Sequence, residues 1–378
     1  MSPAVNDRRP ARVLMTGDAV GGVWQYSLEL ARGFASRGIA PVLAVLGPVP
    51  NATQLLEAAA LPALRLIPTQ LPLEWTATAP ESLHAAADFL AELALSCDAD
   101  SIHLHTPALV GEAAWPAPVV AVAHSCVATW WSAVRGSTRL PRDFAWRAAA
   151  VADGLARADA VIAPSDSFAA LLRRVYRLAR PIAVVRNGRR APRLSDTAGR
   201  RGAVLTAGRL WDEGKNVAVL DRAAARLDAP IYAAGPLQGP NGTAIGFSSI
   251  HPLGPLDAPQ LAAEYTSIQV FAAPSLYEPF GLSVLEAAQA GMALALADIP
   301  TFRELWDGAA CFADPTDAGA WAAALGALLD DAELRQHLAA AAVERAREYA
   351  ADPMVDATIA VHMDAIAARS PRIPALAT

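Results

Sequence analysis

Hydrophobic positions in the first half of the chain alternate between short apolar runs and longer stretches with helical spacing. Each apolar run is bounded by Gly, Pro or Asp, as expected for buried strands, and residues 23–34 repeat at the spacing of a helix. The predicted strands occupy residues 12–16, 40–46, 101–105, 118–123, 160–163 and 181–185. This order of strands and helices predicts a parallel sheet with both faces covered.

Residues 187–202 interrupt the pattern, because they are rich in Arg, Gly, Pro and Asp and have little periodicity. We interpret them as a linker. The alternation then restarts in the second half. Predicted strands occupy residues 203–207, 230–233, 250–253, 270–273 and 293–296, and predicted helices occupy residues 216–227, 259–265, 282–290, 318–329, 333–349 and 354–368.

The pattern as a whole predicts an α/β protein built from two doubly wound, Rossmann-like parallel sheets. We expect one domain at residues 1–190 and a second at residues 200–350. Two such units joined by a linker face each other across a cleft. Since open α/β sheets bind ligands beyond the carboxyl ends of their strands, we expect the functional site in that cleft.

Composition argues against several classes of protein. The chain has 31 Lys plus Arg against 37 Asp plus Glu, and its pI of about 5.7 argues against nucleic-acid binding. No apolar stretch reaches eighteen residues without a charge or a Pro, and residues 1–10 lack an apolar segment. We therefore expect neither a membrane-spanning helix nor a secretory signal. Three scattered cysteines without a CxxC motif favour a cytoplasmic location.

One of the 31 basic residues is lysine, at position 215, and the other 30 are arginine. Lys215 lies six residues after Arg209, in a Gly-containing loop between a predicted strand and a predicted helix. Two cations beside a helix N-terminus suit a diphosphate, since Arg offers a fork and Lys a compact charge. The alternative is an ordinary solvated loop lysine.

A second Gly-containing loop follows the first predicted strand, with glycines at Gly17, Gly21 and Gly22. Such a loop lets backbone N–H groups approach an anion at a helix N-terminus. The spacing is not GxGxxG, which disfavours a dinucleotide site. An ordinary tight turn between strand and helix is the alternative.

Two acidic residues, Glu278 and Glu286, stand eight apart across a predicted strand, turn and helix. Pro279 and Gly281 lie between them and mark the turn. Carboxylates in this position can accept hydrogen bonds from sugar and ribose hydroxyl groups. A solvated helix face is the alternative for either residue alone.

These motifs resemble those of retaining glycosyltransferases of family 4, which have the two-domain GT-B fold. The motifs are Gly21-Gly22, Gly208-Arg209 with Lys215, and Glu278-Pro-Phe-Gly-Leu with Glu286. The resemblance extends over nearly the whole chain. Short motifs in the expected order support it: His103-Leu-His105, Val122-Ala-His124, Ala163-Pro-Ser165, Asn187-Gly188, Leu253-Gly254 and Gly291.

The resemblance implies a role for each motif. Arg209 and Lys215 would bind the donor diphosphate and stabilise it as it leaves. Gly21 and Gly22 would contribute the phosphate-binding turn, with the backbone N–H of Gly22 as donor. Glu278 would bind the hydroxyl groups of the donor sugar, His124 would line the reaction centre, and Glu286 would bind the ribose. The backbone at Phe280, Gly281 and Leu282 would hold sugar and phosphate.

The resemblance also implies the chemistry. We expect a metal-independent transfer that retains the anomeric configuration by front-face attack, with no cofactor and with a UDP-sugar as the favoured donor. The acceptor, which is a sugar, a lipid or a small molecule, would bind the N-terminal domain. The C-terminal helix, at residues 351–378, would pack back on that domain.

Trp130, Trp131 and Arg135 are the candidates for acceptor binding, because Trp and Arg hold sugars and anionic groups well. Packing of this segment on the N-terminal core is the alternative. Peripheral contact of this segment with a membrane surface is a further alternative, which we rank below acceptor binding because the overall charge of the chain is acidic. The sequence departs from that of many relatives at two places. One is His124-Ser125, just before this segment, and the other is Asn187-Gly-Arg-Arg190, at the linker.

Two alternative functions remain open: a nucleotide-sugar epimerase on the same fold and a non-catalytic nucleotide-sugar-binding protein. The triplet Asp98-Ala-Asp100 matches the metal-binding D-x-D motif of another transferase fold, but we interpret it as a loop that opens a strand. His103 and His105 alternate on a predicted strand, and we interpret them as packing or cleft-lining residues rather than metal ligands.

Overall fold

The computed structural model describes residues 9–137, 139–191, 199–239 and 242–369 of the 378-residue chain. Within these residues the strands form two separate parallel sheets, one on each side of the linker. Residues 192–198 of the linker and residues 370–378 of the expected C-terminal helix lie outside the described ranges. We refer to the parts before and after the linker as the N-terminal and C-terminal halves.

The N-terminal sheet has seven strands in the described residues. They are β1 (Arg12–Asp18), β2 (Ala40–Leu46), β3 (Arg65–Pro68), β4 (Ser101–Leu104), β5 (Val119–Val122), β6 (Ala160–Ala163) and β7 (Ala183–Val184). Their order in the sheet is β3-β2-β1-β4-β5-β6-β7. The direction in which the chain adds strands reverses between β1 and β4, so a crevice opens at the carboxyl ends of these two strands.

The C-terminal sheet has six strands in the part of the chain that the structure describes. They are β8 (Arg201–Ala207), β9 (Ile231–Ala234), β10 (His251–Gly254), β11 (Ile268–Ala273), β12 (Ala293–Ala297) and β13 (Cys311–Ala313). Their order is β10-β9-β8-β11-β12-β13, which places the reversal between β8 and β11. The central strands β11 and β12 are almost completely buried, which explains their continuous apolar sequences.

Helices cover both faces of each sheet. The helices of the N-terminal half are α1 (Gly22–Ser36), α2 (Ala52–Ala59), α3 (Pro80–Ser96), α4 (Val127–Arg135), α5 (Arg142–Arg157) and α6 (Asp166–Tyr176). Those after the linker are α7 (Val217–Ala224), α8 (Ala258–Ser267), α9 (Leu282–Gln289), α10 (Pro300–Trp306), α11 (Ala318–Asp330), α12 (Ala332–Arg347) and α13 (Ala351–Arg369). Short 3-10 turns occur at Pro107–Leu109 and Glu213–Lys215.

Helix α13 follows the C-terminal half in sequence but packs against the N-terminal half. Its residues Val355 and Ile359 belong to the same buried cluster as Phe34 of α1. At Gly33 the two helices approach so closely that an added Cβ would lie 2.2 Å from Val355 Cγ2. Gly33 therefore permits the close packing of α13 on α1.

A buried polar chain also joins α13 to the N-terminal sheet. His362 Nδ1 lies 2.7 Å from Ser101 Oγ, and His362 Nε2 lies 3.1 Å from His103 Nδ1. The other nitrogen of His103 lies 3.2 Å from the hydroxyl of Tyr26. These contacts satisfy polar atoms that would be costly to bury alone.

No helix in the described ranges combines the length and the hydropathy needed to cross a membrane.

Candidate functional site

The predicted site residues follow the strands at which both sheets reverse direction. Gly21 and Gly22 come after β1, Arg209 and Lys215 come after β8, and Glu278 comes after β11. The two reversal points face each other across the cleft: a Cβ added at Gly22, the first residue of α1, would lie 3.1 Å from Leu282 Cδ1. Gly22 therefore lies beside the turn that follows Glu278.

The two most specific motifs are in direct contact. Lys215 Nζ donates to Glu278 Oε2 at 2.5 Å, and both side chains are largely buried. A pocket beside this pair is lined by Thr206, Gly208, Lys215, Ser275, Glu278 and Ser283. Ala207, Leu210, Val217, Ala273 and Pro274 complete its lining, so the pocket is small and of mixed polarity. A lysine and a carboxylate beside it can bind a phosphate oxygen and a sugar hydroxyl side by side.

Arg209 is the more exposed of the two predicted diphosphate ligands, with 46% of its side-chain surface accessible. Its Nη2 atom donates to Asp212 Oδ2 at 3.1 Å. Its charge also acts across the cleft on Asp18, at the end of β1. Burial raises the pKa of Asp18, while the Val20 N–H and the charge of Arg209 lower it. Arg209 is thus half-exposed, paired with Asp212 and within electrostatic reach of Asp18.

The turn after Glu278 presents its backbone rather than its side chains. Phe280 is buried against Tyr349 in the C-terminal core. Gly281 has a φ of +94° and caps α9, a left-handed conformation that favours glycine. Leu282 begins that helix. The backbone N–H groups at this helix N-terminus are therefore available to an anion.

Glu286 is already paired with a cation. Its Oε1 atom lies 2.9 Å from Arg189 Nη2, and its Oε2 atom accepts from the Tyr265 hydroxyl at 3.3 Å. Arg189 also donates to Gln25 Oε1, on helix α1 of the N-terminal half, at 3.0 Å. Arg189 was not predicted from the sequence as part of the site, although the motif Asn187-Gly-Arg-Arg190 that contains it departs from that of many relatives.

His124 lies at the end of β5, in edge-on contact with the Tyr26 ring at 4.5 Å. Burial, with a smaller effect of His105, lowers the pKa of His124 to about 3. Its Nε2 atom is buried and has no hydrogen-bond partner in the described residues. At neutral pH His124 is therefore a neutral ring with one unused polar atom.

His103 and His105, which lie on and after β4, have structural partners. His103 belongs to the buried chain with Tyr26 and His362, and His105 Nδ1 lies 2.8 Å from Thr16 Oγ1. In the residues that the structure describes, no three His, Cys, Asp or Glu side chains are grouped as metal ligands.

The D-x-D triplet lies at the amino end of β4, opposite the end where the cleft lies. Asp100 Oδ2 accepts from the backbone N–H groups of Ala11 and Arg12 at 2.8 and 2.9 Å, which aligns β4 with β1. Asp98 is exposed and lies 3.9 Å from Arg12 Nη1. The local geometry agrees with the structural interpretation of this triplet.

Two of the three predicted acceptor residues, Trp130 and Arg135, contact the C-terminal half. Trp130 Nε1 donates to Asp212 Oδ1 at 2.9 Å. Arg135 lies over the rings of Trp130 and Trp131, at 5.8 and 5.7 Å, and pairs with Glu213 at 2.5 Å. Trp131 packs on Phe144 within the N-terminal half. The structure brings this segment to the site, but in contact with the donor-side loop.

Tyr277 is a further residue that the sequence analysis did not single out. Its hydroxyl lies 2.8 Å from Thr129 Oγ1 across the cleft, and its ring packs against Phe168. It directly precedes Glu278 and links the acidic turn to helix α4. Its position in that turn was visible in the sequence, but its partner on the other half was not.

Two family models match the chain in succession. The model described as Glycosyltransferase Family 4 matches residues 20–190, and the model described as Glycosyl transferases group 1 matches residues 201–331. Together they account for most of the chain.

Curated relatives match shorter segments. The chain is 34% identical over 134 residues to a D-inositol 3-phosphate glycosyltransferase from Salinispora arenicola, covering 34% of this chain and 30% of that relative. It is 40% identical over 100 residues to a phosphatidyl-myo-inositol mannosyltransferase from Mycolicibacterium smegmatis, covering 26% of each. The matches therefore span about a third or less of each relative's length.

Solved structures match over nearly the whole chain. A sucrose-phosphate synthase from Thermosynechococcus elongatus superimposes with a TM-score of 0.76 at 18% identity, covering 96% of this chain and 100% of that one. Anabaena HepE in complex with UDP-glucose superimposes with a TM-score of 0.69 at 18% identity, covering 92% and 98%. At this identity the likeness establishes the two-sheet fold.

Proposed function

From the premise that this chain belongs to glycosyltransferase family 4 and has the GT-B fold, we propose that it transfers a sugar from a nucleotide-diphosphate sugar to an acceptor hydroxyl. The observation that carries the proposal is the contact between Lys215 and Glu278 at the carboxyl ends of β8 and β11. One pocket thereby offers a cation for a diphosphate and a carboxylate for a sugar hydroxyl.

The leaving diphosphate is the group that most needs stabilisation in such a transfer. Negative charge builds up on its bridging oxygen as the bond to the anomeric carbon breaks. Arg209 and Lys215 approach from the C-terminal half, and the Gly22 N–H at the start of α1 approaches from the N-terminal half. Fixed charges and helix N-termini stabilise such charge without reorganising during the reaction.

The proposed reaction needs no separate base to accept the proton of the acceptor hydroxyl. The acceptor oxygen forms a bond to the anomeric carbon on the face from which the diphosphate leaves, and the hydroxyl proton passes to a leaving phosphate oxygen. The configuration is then retained. His124, which is neutral at neutral pH, would line the reaction centre through its unused Nε2 atom. The cations and helix N-termini supply the stabilisation, which supports a metal-independent reaction.

The acceptor class is proposed from the relatives. Their names refer to D-inositol 3-phosphate and to phosphatidyl-myo-inositol. A hydroxyl group of a cyclic polyol is therefore the first acceptor to test, and a UDP-sugar is the first donor, since HepE binds UDP-glucose.

The first experiment is a screen of UDP-, GDP- and ADP-sugars for binding and for slow hydrolysis without acceptor. We expect one nucleoside diphosphate to bind and its sugar to be released with retained configuration. Product analysis also separates transfer from epimerisation, which would yield an isomeric nucleotide sugar instead. Failure of all three nucleoside diphosphates to bind would contradict the proposal.

Lys215→Ala provides the decisive variant. We expect the turnover number to fall by about 100-fold, the usual scale for losing one donor to a developing charge, with weaker binding of the nucleoside diphosphate. Circular dichroism should show an intact fold. Arg174→Ala, which removes an exposed cation from helix α6, is the matched control and should leave turnover unchanged. Equal turnover in both variants would remove Lys215 from the mechanism.

A further inference from the structure

Helix α4 of the N-terminal half reaches across the cleft and rests on the loop that carries Lys215. The indole of Trp130 donates its N–H to Asp212 Oδ1 at 2.9 Å. The same ring lies against Gly214, where an added Cβ would be 2.7 Å from Trp130 Nε1. The absence of a side chain at position 214 therefore allows the indole to reach the carboxylate.

Asp212 connects this indole to Arg209. Its Oδ1 atom accepts from both Trp130 Nε1 and the backbone N–H of Gly214, each at 2.9 Å. Its Oδ2 atom accepts from Arg209 Nη2 at 3.1 Å. Only 11% of the Asp212 side chain is exposed, so two N–H groups hold one oxygen while the other orients the guanidinium.

The carboxylate is also part of the framework of the donor side. Asp212 caps the 3-10 turn Glu213–Lys215, and the carbonyl of Gly214 accepts from Leu276 N and Tyr277 N at 2.9 and 3.3 Å. The loop of Lys215 is thus bonded to the turn of Glu278. Trp130 enters this framework from the other half of the molecule.

We propose that Trp130 is a positioning residue that acts through Asp212 on Arg209. Its N–H fixes the Asp212 carboxylate, which holds the Arg209 guanidinium where it can meet a diphosphate. Because Trp130 belongs to the N-terminal half, this orientation is complete only when the two halves are in contact. The inference rests on the proposed function and changes the role predicted for Trp130, from contact with the acceptor to orientation of a donor-side cation.

The experiment measures binding of inorganic pyrophosphate by isothermal titration calorimetry. Pyrophosphate carries the diphosphate without a base or sugar, so it reports on the cation site itself. Trp130→Phe keeps a ring but removes the N–H, and we expect about tenfold weaker binding, the scale of one hydrogen bond to a charged group. Arg209→Ala should weaken binding at least as much, and the double variant should equal Arg209→Ala alone.

Trp115→Phe is the matched control, because it removes an indole N–H that donates to the Val110 carbonyl at 2.7 Å within the N-terminal half. We expect it to leave pyrophosphate binding unchanged. Asp212→Asn is the second variant, which keeps an acceptor for Trp130 but removes the negative charge that faces Arg209. It should weaken pyrophosphate binding in the wild-type background and have no further effect in the Arg209→Ala background. It keeps the inference testable if Trp130→Phe does not fold.

Independent losses from Trp130→Phe and Arg209→Ala that simply add would overturn the inference. Unchanged pyrophosphate binding in Trp130→Phe, together with a higher KM for an acceptor, would restore the acceptor role and also overturn it. A wild-type chain that does not bind pyrophosphate has the same consequence. If the double variant binds pyrophosphate like Arg209→Ala alone but the protein transfers no sugar, that result counts against the proposed function alone.

Discussion

At the scale of residues, each long cationic side chain of the candidate site has a carboxylate partner. Lys215 pairs with Glu278, Arg209 with Asp212, and Arg189 with Glu286. A binding diphosphate would therefore meet cations that carboxylates already hold in place rather than bare, unoriented cations. This pairing lets a chain with a net charge of −6 keep a small cationic site without unbalanced buried charge.

Some residues of the candidate site could be predicted from the sequence, and others could not. Lys215 stood out because it is the one lysine of the chain, and Glu278 and Glu286 because of their spacing. Their assigned roles stay predictions. Arg189 could not be placed, because its partner Glu286 lies almost a hundred residues further on and no local pattern joins them.

Glu74 offers a residue-scale prediction about pH. It lies between β3 and α3, is 9% exposed and accepts from the Thr106 hydroxyl at 2.8 Å. Burial raises its pKa to about 7, against the effects of Thr106 and Arg147. Because the folded protein binds this proton more tightly than the unfolded chain, Glu74 costs stability as the pH rises from about 4.5 to 7.

Glu74→Gln should therefore be more stable than the wild type at pH 8, by up to about 3 kcal/mol. The difference should shrink toward pH 5, where the wild-type carboxyl is protonated in the folded protein. Urea unfolding at both pH values measures it. Glu92→Gln, on the exposed face of α3, is the control and should show no such pH dependence. An equal effect at both pH values would show that ionisation of Glu74 is not the cause.

At the scale of elements, the central strands and the edge strands β7 and β10 were predictable, but the edge strands β3 and β13 were not. Strands such as β11 and β12 are buried on both faces, so their apolar runs are unmistakable. The edge strands β3 and β13 are short and partly exposed, with the sequences Arg-Leu-Ile-Pro and Cys-Phe-Ala. Their pairing depends on a neighbouring strand, which the local sequence does not reveal.

The packing of α13 on α1 gives a prediction at this scale. Gly33→Ala would normally favour a helix by about 1 kcal/mol, but here its methyl group would overlap Val355. We expect a loss of about 1–3 kcal/mol in the free energy of unfolding. Adding Val355→Ala should make room, so that the double variant loses less than the two single changes combined.

The control is Gly326→Ala in helix α11. A Cβ there would lie 3.9 Å from Leu227 Cδ2, which is an ordinary contact. This variant should be as stable as the wild type or slightly more stable. If Gly33→Ala behaved like Gly326→Ala in urea unfolding, the close approach of α13 and α1 would not hold in solution.

At the scale of the whole molecule, the N-terminus of helix α6 joins the two halves. Ser165 Oγ donates to the Pro279 carbonyl at 2.7 Å. Glu304 accepts from the backbone N–H groups of Asp166 and Ser167, at 3.0 and 2.7 Å. A carboxylate at a helix N-terminus is favoured both by the hydrogen bonds and by the helix dipole.

Glu304→Ala should weaken this contact by about 2 kcal/mol, the scale of a hydrogen bond to a charged group. Small-angle X-ray scattering should then give a larger radius of gyration, because the halves separate more often. Glu344→Ala removes an exposed carboxylate that pairs with Arg347 in the same helix, and it should leave the scattering unchanged. An identical radius for both variants would mean that Glu304 does not hold the halves together.

Hydrophobic periodicity and turn residues determined the broad architecture. Both are local signals, because each depends only on residues that are close together in the chain. They sufficed to predict two parallel α/β units separated near residue 190, and the motifs sufficed to predict the family and the GT-B fold, both of which are confirmed. The limits chosen for the two domains stay a prediction.

Only the tertiary structure decided which groups meet. Strand order brings Gly22, Lys215 and Glu278 to the same pair of crevices, although they are separated by up to 256 positions in the chain. The tertiary structure also turns Trp130 toward Asp212, whereas the sequence had suggested that Trp130 binds the acceptor. Such partners depend on how two separate sheets face each other, and that arrangement arises from contacts between distant segments rather than from any local pattern.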